Sequence, residues 1–167
     1  LADPPPYSRV HVPLAYGAAT RSIVMRLKYG RKTGFARLMA RLMLRRLQDD
    51  ARGDPTAEPP LFIPVPLHRW RIWSRGFNQS AEVAGHLARA TGWPLLVDGL
   101  HRHKRTPPLR GLGRRDRAKT VRGAFTVRDS ARSQLSGRRI LLVDDVFTTG
   151  ATAAACSRAL LRAGASS

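Results

Sequence analysis

A chain of 167 residues with 43% apolar side chains is sized for one domain with a real core, since two domains would each be too small to bury one comfortably. Its 30 Lys and Arg against 11 Asp and Glu give a net charge of +19 with the five His neutral. That balance excludes an acidic binding module and makes a polyanion the first ligand to test, but only four of the cations are Lys, and an arginine excess alone cannot name a partner.

Val10, Val12, Leu14 and Tyr16 alternate at period 2, which predicts a strand over 10–16 bounded by Gly17. A short helix is expected over 20–29, closed by Gly30. From 35 to 47 the pattern is helical, with Leu38, Met39, Leu42, Met43 and Leu47 on the packed face and Arg37, Arg41 and Arg45 in water. Residues 49–60 are polar and Pro-rich, a surface loop. The run 61–66 reads as a buried strand whose prolines force an exit into a loop over 67–76. A helix over 78–91 follows, with Val83, Ala84, Leu87 and Ala88 buried and Gly92 past its end. A strand is expected over 95–100.

Residues 101–122 hold nine Lys or Arg against the single acid Asp116. So charged a stretch cannot pack on itself, and it reads as a flexible basic loop, either a linker or a lid over an anion. A short strand over 124–127, a turn at Gly137, an apolar strand over 139–143 and a helix from 149 to about 163 complete the chain. Alternating strands and helices indicate an α/β fold with a mostly parallel central sheet flanked by helices, in one domain over 1–167. Cys156 is the only cysteine, so the chain can form no internal disulfide or Cys-x-x-Cys metal site, and a reducing cytoplasm is the expected location. No apolar run is long enough for a membrane span. The start, Leu1-Ala2-Asp3-Pro4-Pro5-Pro6, carries neither a signal pattern nor an initiating Met, and reads as the edge of a fragment or trimmed chain.

The chemistry concentrates at Ile140-Leu141-Leu142-Val143-Asp144-Asp145-Val146-Phe147-Thr148-Thr149-Gly150-Ala151-Thr152. A buried strand runs into two carboxylates and then a Thr- and Gly-rich loop that opens a helix, at the strand end where open α/β sheets bind ligands. Loop N–H groups, the hydroxyls of Thr148, Thr149 and Thr152 and the helix start suit a phosphate. Asp144 and Asp145 can accept hydrogen bonds from sugar hydroxyls and attract hydrated Mg²⁺. A P-loop would need a Lys that is missing here. A phospho-acceptor receiver domain would need a third Asp and a Lys on later strands, and plain helix capping remains the bland alternative.

The stretch 143–152 resembles the 5-phosphoribosyl-1-pyrophosphate (PRPP) motif of type I phosphoribosyltransferases. With Leu27-Lys28-Tyr29-Gly30, then Ile63-Pro64-Val65-Pro66 leading to Arg75-Gly76-Phe77-Asn78-Gln79, then Arg105-Thr106 and the stretch 117–125, nearly the whole chain resembles the competence protein ComF family in order and spacing. The resemblance implies a type I phosphoribosyltransferase-like fold with a small N-terminal hood. It implies that Asp144 and Asp145 hold the ribose hydroxyls and, indirectly, Mg²⁺, and that Thr148, Thr149, Gly150, Ala151 and Thr152 hold the 5-phosphate. It makes Arg75 the leading pyrophosphate ligand and a catalytic residue with the two aspartates, supported by His68 and Arg69, and it makes Lys104 and Arg105 part of a closing lid. Against the family pattern, Leu109 stands for a usual Gln and Thr120 for a usual Asn, and neither the family's Cys-rich zinc module nor the strand expected after Gly164-Ala165 lies within this chain.

Two functions follow. One is phosphoribosyl transfer from PRPP with pyrophosphate release, linked to natural competence and DNA uptake. The other is a non-catalytic competence factor that binds single-stranded DNA or DNA-processing proteins, with PRPP as regulator. The surplus of cations and the residues Trp70, Trp73 and Trp93 as stacking groups favour the second. The acceptor substrate is not readable from the sequence.

Overall fold

Leu61, Phe62, Ile63 and Pro64 form strand β1 (Leu61–Pro64), and all four are buried because both faces of the strand are covered. A computed structural model of the chain describes residues 4–14, 17, 33–51, 58–107 and 111–166, less the side chains of residues 33, 48–51, 71, 74 and 75. The elements run α1 (Thr33–Ala51), β1, α2 (Arg69–Arg75), α3 (Gln79–Thr91), β2 (Leu100–Arg102), α4 (Arg114–Val121), β3 (Phe125–Val127), a 3₁₀ turn (Asp129–Ala131), α5 (Arg132–Leu135), β4 (Ile140–Val143) and α6 (Ala151–Arg162).

β1 pairs with β4 in parallel, from Leu61 opposite Ile140 to Pro64 opposite Val143. Pro64 has no N–H to give, so Val65 N carries the last bond, to Val143 O at 2.8 Å. Alternation along β1 then divides the core. Leu61, Ile63 and Val65 face one cluster with Cys156, Ala159 and Leu160 of α6 and with Leu100, Val121 and Phe125. Phe62 faces the other, with Ala36, Met39, Ala40 and Leu47 of α1 and Val83, Ala84 and Leu87 of α3. Phe62 is fully buried, and burying such a side chain stabilises by about 1.5–3 kcal/mol. The architecture is mixed α/β, a parallel pair between two helical layers.

The expected α/β fold with parallel pairing is present, and β2 and β3 form a separate antiparallel pair. Several other expectations need correction. The strand over 10–16 is absent in its described part, 10–14, since among the described residues no strand lies alongside to accept its hydrogen bonds. Residues 15 and 16 and the helix over 20–29 lie outside the described residues. The loop over 67–76 contains α2, which hid from the pattern because Trp70, Ile72 and Trp73 are exposed and leave no core-facing stripe. The strand over 95–100 reduces to one bridge, Phe62 to Leu95, before Val97 turns outward and β2 starts at Leu100. The basic segment 101–122 is not loop throughout, since β2 enters it and α4 ends it, anchored by buried Val121. On α1 the buried line is Ala36, Met39, Ala40 and Leu47, while Leu38 is exposed; Arg37, Arg41 and Arg45 face water as expected.

Candidate functional site

Parallel pairing brings the carboxyl ends of β1 and β4 to one edge, so the loops that leave them meet there. After β4 come Asp144 and Asp145. One carboxylate oxygen of Asp144, Oδ1, accepts from Asp145 N at 2.9 Å and from Ser80 Oγ at 3.4 Å. Ser80 is held there by the start of α3, where Asn78 Oδ1 accepts from Ser80 N and Asn78 Nδ2 donates to Val65 O, both at 3.1 Å. The exit of β1, the first turn of α3 and the first aspartate are thus bonded into one unit.

The loop then turns into α6 at Gly150, whose φ of +73° only glycine adopts cheaply. A Cβ there would lie 2.6 Å from the Tyr7 hydroxyl and 3.1 Å from the Phe147 ring, and Tyr7 meets Phe147 edge-on at 6.4 Å between centroids. The N-terminal segment therefore seats against the loop. Val146 to Ala153, Asp144 and Arg117 line a small pocket of about 20 Å³. Arg117 enters it from α4, with Nε donating to Leu112 O at 2.8 Å and Nη1 to Thr148 Oγ1 at 2.7 Å. A guanidinium, a Thr-rich loop and the first turn of a helix facing one small volume have the chemistry that suits a tetrahedral oxyanion.

All of Asp144, Asp145, Thr148, Thr149, Gly150, Ala151 and Thr152 are gathered at this edge. His68 leads into α2, where its Nδ1 accepts from Trp70 N at 3.3 Å, and Arg69 is exposed at that helix's first position. Arg105 lies over Trp70, 5.5 Å from the ring centroid, which draws the expected lid onto the element that follows β1. Lys104 Nζ donates to Arg122 O at 3.3 Å. Arg75 ends α2, and its side chain lies outside the described residues. Sequence reasoning missed Arg117 and Ser80 as parts of the site. Ser80 stands out only in the fold, where it and Gln79 are polar yet buried at the start of α3 and Gln79 Nε2 finds no hydrogen-bond partner among the described residues. Arg117 carried no signal in the sequence, being one cation among nine in its segment.

A larger cavity of about 700 Å³ borders Asp144 and Phe147 but is lined from both sheet faces, by Phe62 and Leu141 as well as Leu142 and Leu160. Its lining mixes these apolar side chains with Arg9, His11, Arg139 and Ser157. Among the described residues no group of three or more His, Cys, Asp or Glu forms a metal cage. The Asp144–Asp145 pair still fits Mg²⁺, which is held through one or two carboxylates together with substrate phosphates and water.

No protein-family model matches the chain. Competence protein F of Haemophilus influenzae is 34% identical over 142 residues, which are 85% of this chain and 62% of that protein. DNA utilization protein YhgH of Escherichia coli O157:H7 is 32% identical over 165 residues, 99% of this chain and 71% of that protein. The chain belongs to the ComF family. It spans 62% of the length of competence protein F and 71% of that of YhgH. Among solved structures, the glutamine PRPP amidotransferase of B. subtilis, complexed with ADP and GMP, aligns with 86% of this chain and 29% of its own at a TM-score of 0.48 and 19% identity.

Proposed function

We propose that this ComF-family chain binds PRPP with Mg²⁺ and transfers its phosphoribosyl group to an acceptor, releasing pyrophosphate, in the service of DNA utilization. The observation that carries the reading is the pocket in which Arg117 and Thr148 face the start of α6 directly after Asp144 and Asp145. The names of the relatives, competence protein F and DNA utilization protein, support the biological link. Among the described residues no helix is long and apolar enough to cross a membrane.

In this reading the loop 148–152 and Arg117 grip the 5-phosphate, and the aspartates accept hydrogen bonds from the ribose hydroxyls. The Ser80 bond to Asp144 fixes the orientation of the first carboxylate. The C1–oxygen bond breaks with its electron pair leaving on pyrophosphate, and the acceptor's lone pair forms the new bond at C1. Arg75, His68, Arg69, Lys104 and Arg105 neutralise the departing diphosphate, and positioning with electrostatic stabilisation does most of the work. Bound Mg²⁺ would supply further charge neutralisation on that diphosphate.

Replacing both aspartates, Asp144→Asn with Asp145→Asn, is expected to abolish Mg²⁺-dependent PRPP binding in titration calorimetry, and unchanged affinity would sink the assignment. Pyrophosphate release screened across nucleobases and amines then identifies the acceptor. Binding without turnover for any acceptor would favour the second reading, a non-catalytic strand-binding factor regulated by PRPP, which the exposed Trp70 and Trp73 independently support.

A further inference from the structure

Helix α2 turns its large apolar side chains outward: Trp73 is 81% exposed, Trp70 54% and Ile72 40%. A single exposed aromatic would need no explanation. Here the two indoles lie 5.5 Å apart between centroids, tilted by 39°, and the Arg105 guanidinium sits 5.5 Å from the Trp70 centroid, giving a row of three flat groups at the surface. Trp93 shows the ordinary fate of a tryptophan in this fold, half-buried and stacked on Phe62 at 5.6 Å.

The surroundings are positive. Neither 61–81 nor 99–115 contains an acidic residue. His101, on β2, has its pKa lowered first by burial and then by neighbouring basic groups, among them Arg128 after β3 and Arg69 at the start of α2. Arg69, His103, Lys104, Arg105 and Arg128 are all exposed.

We propose that α2 and the adjoining 103–105 segment form a stacking platform for an unpaired nucleic-acid strand, with Trp70 and Trp73 taking bases and Arg69, Lys104 and Arg105 taking phosphates. Aromatic faces flanked by cations fit this ligand because every base has a π face and every step carries a phosphate. A duplex hides those faces. None of the platform's residues lines the pocket around Thr148 and Arg117. The proposal deepens the DNA-linked part of the function above and shares Arg69, Lys104 and Arg105 with its diphosphate-binding part.

Fluorescence anisotropy of a labelled thymidine oligonucleotide tests it, with melting curves to verify folding of each variant. Trp70→Ala with Trp73→Ala should weaken strand binding by at least roughly 30-fold, two base stacks at about 5-fold or more each. The salt dependence should stay near that of the wild type, because the cations remain, whereas Arg105→Ala should make the slope shallower by about one phosphate contact. Strand affinity within twofold of the wild type in the double Trp variant would overturn the platform, and so would equal or tighter binding of a duplex of the same length. The double Asp variant used above should keep its strand affinity, so a failure of PRPP binding is read separately from a failure here.

Discussion

Cys156 is fully buried in the core layer beneath the candidate site. Burial, and after it the charge of Asp144, push its thiol well above the ordinary 9.0, against an opposing pull from Arg102. Arg102 is itself buried, lies over the Phe125 ring at 5.4 Å and donates to the Thr106 hydroxyl. The folded chain therefore holds the thiol proton more tightly than the unfolded chain does. The thiol's contribution to stability is fully present below pH 9.0 and is lost as pH rises beyond it. Urea unfolding between about pH 8 and pH 10 should show the wild type losing stability relative to Cys156→Ala by at most about 1.4 kcal/mol per pH unit. Parallel profiles for the two proteins would refute this account. The same burial makes Cys156 inert to thiol reagents in the folded state, a structural residue rather than a nucleophile.

At the scale of elements, α3 shows how a helix boundary becomes part of a site. Asn78 caps it and ties it to Val65, and Gly92 ends it with φ of +73° and its N–H on Ala88 O. Both ends were readable in advance, since a capping residue before and a glycine after an apolar stripe are local signals. The cap's second bond, to the exit of β1, was not readable, because it depends on two segments meeting. Asn78→Ala should cost about 1–2 kcal/mol in denaturant unfolding. Asn78→Asp keeps the acceptor for Ser80 N but loses the donor to Val65, so it should fall between the two. Equal stability of all three proteins would show that the cap contributes nothing.

For the molecule as a whole, the candidate site joins pieces far apart in the chain: Ser80 from α3, Arg117 from α4 and the loop between β4 and α6. A ligand held by all three should tie the two core layers together and raise the melting temperature. With PRPP and Mg²⁺ at about 100 times the wild-type Kd, linkage gives about 2.7 kcal/mol of added stability. Arg117→Ala removes a charge-assisted contact, and if that weakens binding about tenfold, the added stability at the same ligand concentration falls to about 1.4 kcal/mol. Thermal unfolding with and without ligand measures the difference, and an unchanged ligand effect in the variant would remove Arg117 from the site. The net charge of +19 divides along similar lines: Arg117 faces the pocket, Arg69 and Arg105 flank the exposed tryptophans, and Arg37, Arg41 and Arg45 form a solvated face of α1.

The run 140–152 was legible as a ligand-binding junction, because its parts are contiguous and each carries a local signature: an apolar strand, two carboxylates, hydroxyls and a glycine that permits the turn. The helices α1, α3 and α6 were legible for the same reason, their periodicity being a property of neighbouring residues. What stayed hidden were features that exist only after distant segments meet. Whether the alternation at 10–14 becomes a strand depends on a partner for its backbone hydrogen bonds, and none lies beside it among the described residues. Which of the seven arginines in 101–122 reaches Thr148, and which of three tryptophans is core and which two are surface, are decided by where α4 and α2 pack. Side-chain chemistry and local spacing are written in the chain, but the choice among chemically identical residues is made by tertiary packing.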